Sequence, residues 1–211
     1  MKRHKSIPKM SVGRAIVLLV RKGKSMGTRN LTKVIKDGEV VVAQYGQWDG
    51  YPSGQGLTGF FAVTKDDVMA SLEANLKLIF YPTEEQRREY AKPFEDGHDE
   101  GWMTFESGKA YGEKYPSLTR DTCAEILYVI ANATEPVPLF LDIEFEDDDL
   151  MCEGVYEVNL DNKTYTAKYN GIIVTLTFDE AKELGVEGYL KRFGYDNESI
   201  EAVIHSLSKT A

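Results

Sequence analysis

The two strings Gly27–Thr32 and Ala43–Gly56 gather one arginine, three aromatic side chains and five glycines (27, 46, 50, 54 and 56) around Asp49. Trp48, Tyr45 and Tyr51 can stack on a planar ring, and Arg29 can pair with a phosphate or carboxylate through two parallel hydrogen bonds. Gln47, Asp49 and Gln55 can read hydrogen-bonding edges, and the glycines let the backbone approach a ligand closely. A second group, Thr119-Arg120-Asp121, precedes an apolar helical pattern, where Arg120 beside free backbone N–H groups would suit an anion. The expected ligand site is therefore Arg29, Tyr45, Gln47, Trp48, Asp49, Tyr51, Arg120 and Asp121. A plainer reading stands beside it. Tyr45 and Trp48 bury in the core, Asp49-Gly50-Tyr51-Pro52 is a turn, Arg120 ties to a carboxylate such as Asp49, and Asp121 caps a helix.

No complete catalytic motif is present. Histidine occurs three times, at His4, His98 and His205, and His98 alone sits in a context suited to a base. Gly23-Lys24-Ser25 matches the end of a phosphate-binding loop, but Leu18 stands where its first glycine belongs. The acidic runs Glu95–Glu100 (with Gly97 and His98) and Glu144–Asp149 (with Phe145) lack the ligand spacing of a calcium loop and read as solvated surface. Cys123 falls where a helix start would lower a thiol pKa, but such a cysteine is more often simply a small buried residue. With only Cys123 and Cys152, neither a disulfide framework nor a zinc site has enough ligands, so no metal and no cofactor are expected.

The net charge of −9 works against nucleic-acid binding. Eight of the 25 basic residues precede Met26, leaving 17 against 34 acidic ones in the rest of the chain. Residues 1–25 thus read as a basic N-terminal extension with one short strand at Ala15–Val20, and 26–211 as a single α+β domain. That apolar run is too short for a bilayer span or a signal-peptide core, so a cytoplasmic protein without membrane attachment is expected; a homo-oligomer stays open.

These side chains must be positioned by the elements around them. Runs 28–36 and 39–45 flank Asp37-Gly38, the signature of a β-hairpin whose second strand feeds a glycine-rich loop over 46–59. A helix opens at Thr64 with Asp67 as its capping partner, carries Val68, Met69, Leu72, Leu76 and Ile79 inward, and stops at Tyr81-Pro82. Thr83 caps a polar surface helix, 92–116 reads as a long loop, and a second core helix carries Ile126, Leu127 and Ile130. Strands at 137–145, 155–160, 165–169 and 172–178 make a meander, and helices at 179–184, 186–193 and 197–207 close the chain. The expected class is α+β, an antiparallel sheet of N-terminal hairpin plus C-terminal meander packed with helices.

Read as strings, Met26–Thr32, Ala43–Gly56 and Leu118–Thr122 resemble an uncharacterised family of small phage and bacterial proteins, over residues 26 to about 170. That family often carries cysteine at position 46 and glycine at 123, where this chain has Gly46 and Cys123. The resemblance implies no established activity; it implies a phage or mobile-element setting, in which small acidic proteins intercept host molecules. Three functions are compatible with these residues: a binding protein that sequesters a small polar, nucleotide-like ligand as counter-defence; a hydrolase with Asp49 or Asp121 as base and Arg29 or Arg120 stabilising charge; or an acidic inhibitor docking on a basic protein.

Overall fold

The computed structural model describes residues 27–96 and 101–209; the Ala15–Val20 strand expected in the leader lies outside them. Strands β1 (Asn30–Lys36) and β2 (Glu39–Gly46) form the expected hairpin. Its turn needs two left-handed residues, and Asp37 and Gly38 supply them with φ of 55° and 79°. Both of their N–H groups donate to the Asp161 carboxylate at 2.9 Å, clamping this turn to the next hairpin.

Beyond the hairpin the α+β architecture holds: a five-stranded, mostly antiparallel sheet in the order β2-β1-β5-β6-β7, where β5 is Gly154–Asn159, β6 Thr164–Tyr169 and β7 Ile172–Thr177. Hairpin and meander join through β1 and β5, the parallel pairing within this sheet. A second, minimal sheet pairs β3 (Ile79–Phe80) with β4 (Val137–Pro138).

Among the described residues, seven α-helices surround these strands: α1 (Leu57–Val63), α2 (Asp66–Asn75), α3 (Glu84–Ala91), α4 (Phe105–Lys114), α5 (Ile126–Ala131), α6 (Phe178–Arg192) and α7 (Asn197–Ser208). Alternation along the strands puts Val34, Val42, Tyr156 and Val158 on the face that packs into the main core, with Phe60, Leu72, Ile126, Leu127 and Leu190 opposite. The other face carries a small cluster of Leu31, Ala43 and Val155, covered by Phe145 and Cys152. Lys33 lies on that same face, 6% exposed, with its ammonium 2.5 Å from Glu146 and 2.8 Å from Glu157. Burial pulls the Lys33 pKa down, but the two carboxylates outweigh it and the net shift is upward. Lys168 holds the second oxygen of Glu146 at 2.8 Å, so residues 142–152 are strapped across the sheet by charge.

Several elements differ from expectation for identifiable reasons. The segment 46–59 is not a loop throughout. Pro52–Gly56 form a π-helical turn that runs directly into α1, and both are mostly buried. Glycines that weaken an isolated helix are needed here, because a Cβ on Gly56 would sit 2.5 Å from the Tyr189 hydroxyl oxygen and one on Gly59 2.9 Å from that of Tyr165. Helix α2 starts at Asp66 behind Lys65 without a side-chain cap, and Ile79 belongs to β3 instead. The expected loop at 92–116 contains α4, ten residues capped by Thr104 through the Ser107 N–H. Its low apolar content conceals it in the sequence, and aromatic contacts hold it: Tyr111 against Phe94 at 5.5 Å and against Tyr115 at 5.5 Å. The expected strand 137–145 shrinks to two residues plus a bridge between Ala43 and Leu141, then a 3₁₀ turn at Ile143–Asp147. The capping box of α3 forms between Thr83 and Gln86. The two helices expected before 197 are both present within α6, since Gly185, at φ 66° and ψ 178°, is non-helical and breaks the element where the sequence expectation put the boundary. Among the described residues, no helix is long and apolar enough to cross a membrane.

Candidate functional site

Strand β2 ends at Gly46, and the backbone on both sides of that end is zipped to a second turn by main-chain and thiol contacts. The Gln47 N–H donates to the Arg120 carbonyl at 2.9 Å, and Gln44 Nε2 donates to the Thr119 carbonyl at 3.0 Å. Cys123 Sγ lies 3.6 Å from the Trp48 carbonyl and 3.5 Å from that of Arg120. On top of this seam the Trp48 indole, 43% exposed, donates its Nε1–H to Asp121 Oδ1 at 2.8 Å. The two sequence groups with ligand chemistry are thus brought side by side.

They line one wall of an open cleft of about 1440 Å³. Tyr45, Trp48, Asp49, Arg120 and Asp121 all face it; so do Gln44 and Gln55 from the floor, and Phe140, Asp142 and Phe145 from the segment running along the β2 edge. Helix α4 forms the opposite wall with Phe105, Lys109, Tyr111 and Glu113. Periodicity gives no sign of that wall, since the sequence there reads as loop. Phe145 packs edge-on to Tyr45 with ring centroids 4.7 Å apart, and Asp142 Oδ2 accepts the Tyr45 N–H at 3.3 Å.

Three expected site residues lie elsewhere. Arg29 turns away to Met151, its Nη1 3.0 Å from the sulfur, while its carbonyl accepts the N–H groups of Glu153 and Gly154. Tyr51 packs edge-on against Tyr169 at 5.9 Å on the meander side. Gln47 supports the site without facing it, accepting the Tyr45 hydroxyl at Oε1 over 2.7 Å. The helix-terminus anion site expected at Arg120 is not formed. Helix α5 begins only at Ile126, behind a 3₁₀ turn over Cys123–Glu125, and Cys123 itself adopts a left-handed φ of 48°. Arg120 contributes a side chain at the cleft rim rather than a dipole.

Asp49 is the most unusual residue of the cleft. It too is left-handed, at φ 57°, and its main-chain carbonyl accepts the Gln55 N–H at 2.9 Å, pinning that conformation. Burial raises its carboxyl pKa to about 6, with no compensating cation or hydrogen bond among the described residues. Gly54 is what permits this, since a Cβ there would lie 2.6 Å from Asp49 Cγ. Gln55, 5% exposed, spends Oε1 on the Ala124 N–H at 3.0 Å and keeps Nε2 without a protein partner among the described residues. Gln44, 2% exposed, uses Nε2 twice and leaves Oε1 buried and unpartnered. Of the two, Gln44 Oε1 alone is closed to solvent and carries the cost of an unpartnered buried atom.

Cys123 is no nucleophile. It is fully buried, and desolvation pushes its thiol up to about 11. Among the described residues no three His, Cys, Asp or Glu side chains are grouped to hold a metal ion; His98 lies outside them. Comparison of the chain with protein-family models, with curated proteins and with solved structures gives no match.

Proposed function

We propose that the protein binds a small, planar, polar ligand of nucleotide-like size in this cleft and holds it without turning it over. The observation that carries this reading is the convergence of two unpartnered polar groups, the Asp49 carboxyl and Gln55 Nε2, on a cleft walled by the Trp48 and Tyr45 rings. A stacked ring would cover the aromatic wall while its edge completes those hydrogen bonds. Sequestration of a host signal as counter-defence is the concrete form suggested by the sequence resemblance alone.

Asp49 favours a second reading, hydrolysis. A carboxyl poised near pH 6, unpaired and facing a cleft, has the properties of a general base. Asp121, the other candidate base, is committed to the Trp48 indole. One experiment separates the two. Native mass spectrometry of the purified protein should show a bound small molecule that is lost in the Trp48→Ala variant and recovered chemically unchanged after heat denaturation. Recovery of a cleaved product supports the hydrolase; retention of the full complement by a folded Trp48→Ala protein rejects the cleft as the site.

A further inference from the structure

The charge and hydrogen-bonding inventory of the cleft says more about its ligand than shape does. Among the described residues, five carboxylates face it, Asp49, Glu113, Asp121, Glu125 and Asp142, against two cations, Lys109 and Arg120. Lys109 is already drawn toward Glu113, 3.9 Å away on the same helix. A phosphate entering here would meet a surplus of like charge in a partly desolvated space, where Coulomb terms exceed their value in water.

The unpartnered atoms point the same way. Asp49 lines the cleft with a carboxyl that has no partner among the described residues. It accepts hydrogen bonds when ionised, and beside it Gln55 Nε2 is a donor. A ligand satisfying Asp49 must bring a hydrogen-bond donor, and a cationic N–H group is the donor that also answers the surplus negative charge. The exposed Trp48 indole adds a π face, which attracts cations more strongly than the other rings do.

Resting on the ligand-binding reading above, we infer that the cleft selects a planar cation bearing N–H donors, such as a protonated amino- or amidine-substituted heterocycle, and rejects phosphorylated molecules. The selecting residue is Asp49, with Trp48 as the stacking platform.

A matched set of probes tests this with one ring system: 1-methyladenosine, a cation at neutral pH, the uncharged adenosine, and the dianionic adenosine 5′-monophosphate. Titrations into the Trp102→Phe protein read quenching of Trp48 as the remaining indole. The expected result is at least tenfold tighter binding of 1-methyladenosine than of the monophosphate, a gap that narrows in high salt and shrinks at least threefold in Asp49→Asn. Equal affinity for all three, tighter binding of the monophosphate, or a gap untouched by Asp49→Asn overturns the charge selection while leaving ligand binding intact. Absence of quenching by every probe at millimolar concentration, in a protein shown folded by circular dichroism, overturns both.

Discussion

Two neighbouring stretches of the molecule use backbone space in opposite ways. From Gly50 to Gly59, glycines vacate volume so that tyrosines can fill it: the Tyr156 hydroxyl reaches the Gly50 carbonyl and that of Tyr165 the Gly56 carbonyl, both at 2.6 Å. At the cleft and in the seam beneath it, two residues that carry side chains, Asp49 and the buried Cys123, sit in left-handed conformations that glycine would adopt without strain. The first region turns missing side chains into tight packing. The second keeps side chains where they are conformationally expensive, and one of them, Asp49, turns an unpartnered carboxyl to the cleft. That difference separates the part of the protein that holds the fold from the part arranged for something outside it.

The sharpest way to break the contrast is one substitution placed twice. Gly56→Ala drives a methyl group into the Tyr189 hydroxyl and to 2.8 Å from the Tyr156 ring, and is expected to cost about 2–3 kcal/mol in urea unfolding. Gly108→Ala in α4 meets nothing within 4 Å and should instead stabilise by about 0.5–1 kcal/mol. Equal effects at the two sites would remove the distinction.

Next in size is a cycle across the seam. A Cβ on Gly46 would lie 2.6 Å from Cys123 Sγ and 2.7 Å from the Asn30 amide, so Gly46→Cys should destabilise by about 2 kcal/mol. Adding Cys123→Gly frees the thiol's volume and relieves the left-handed φ, and should return at least half of that loss. Additive effects in the double mutant would mean that the two positions do not share one space.

Asp49 gives a smaller effect of opposite sign. Its folded pKa of about 6 exceeds the reference value of 3.8, so between those values the folded state keeps a proton that the unfolded chain has released. Stability contributed below pH 4 is therefore lost as pH rises through 6. Asp49→Asn removes this loss and should leave the protein about 1–2 kcal/mol more stable than the parent at pH 7, after allowance for partial exposure, with no difference in this respect at pH 3.5. Denaturation at both pH values measures it. A variant less stable at pH 7 would mean that the carboxylate supports the fold.

The smallest effect is kinetic. Cys123 is fully buried and Cys152 half-buried, and both thiols are raised to about 11, so a disulfide reagent at pH 7.5 should label Cys152 slowly and Cys123 only on unfolding. Fast labelling of Cys123 would show that the seam opens.

The hairpin is legible in the sequence because Asp37-Gly38 specifies its own turn, and the meander because alternation and Asn170-Gly171 do the same with φ of 48° and 76°. Helix α1 is not, since the reason for Gly56 and Gly59 lies in Tyr189 and Tyr165, more than a hundred residues away. Helix α4 escapes because no residue of it is buried and its partners are aromatic rings in 90–115. In the site, residue type alone points to Trp48, Asp49, Arg120 and Asp121. Arg29 and Tyr51 depart from it because neighbours in sequence leave the end of a strand in different directions. Gln44 carries no signal of its own, because a polar residue inside a strand looks unremarkable until its burial is known.

The parallel pairing of β1 with β5 also sets the order in which the molecule can be made. β1 is a central strand, yet its second neighbour begins at Gly154, over a hundred residues after the hairpin ends. At ordinary ribosomal rates the finished hairpin waits on the order of ten seconds with one edge of β1 open. A pairing of such long range closes late and slowly. Until it does, the nascent chain displays an unprotected strand edge carrying Leu31 and Val34, and its exposure to aggregation is concentrated in that interval.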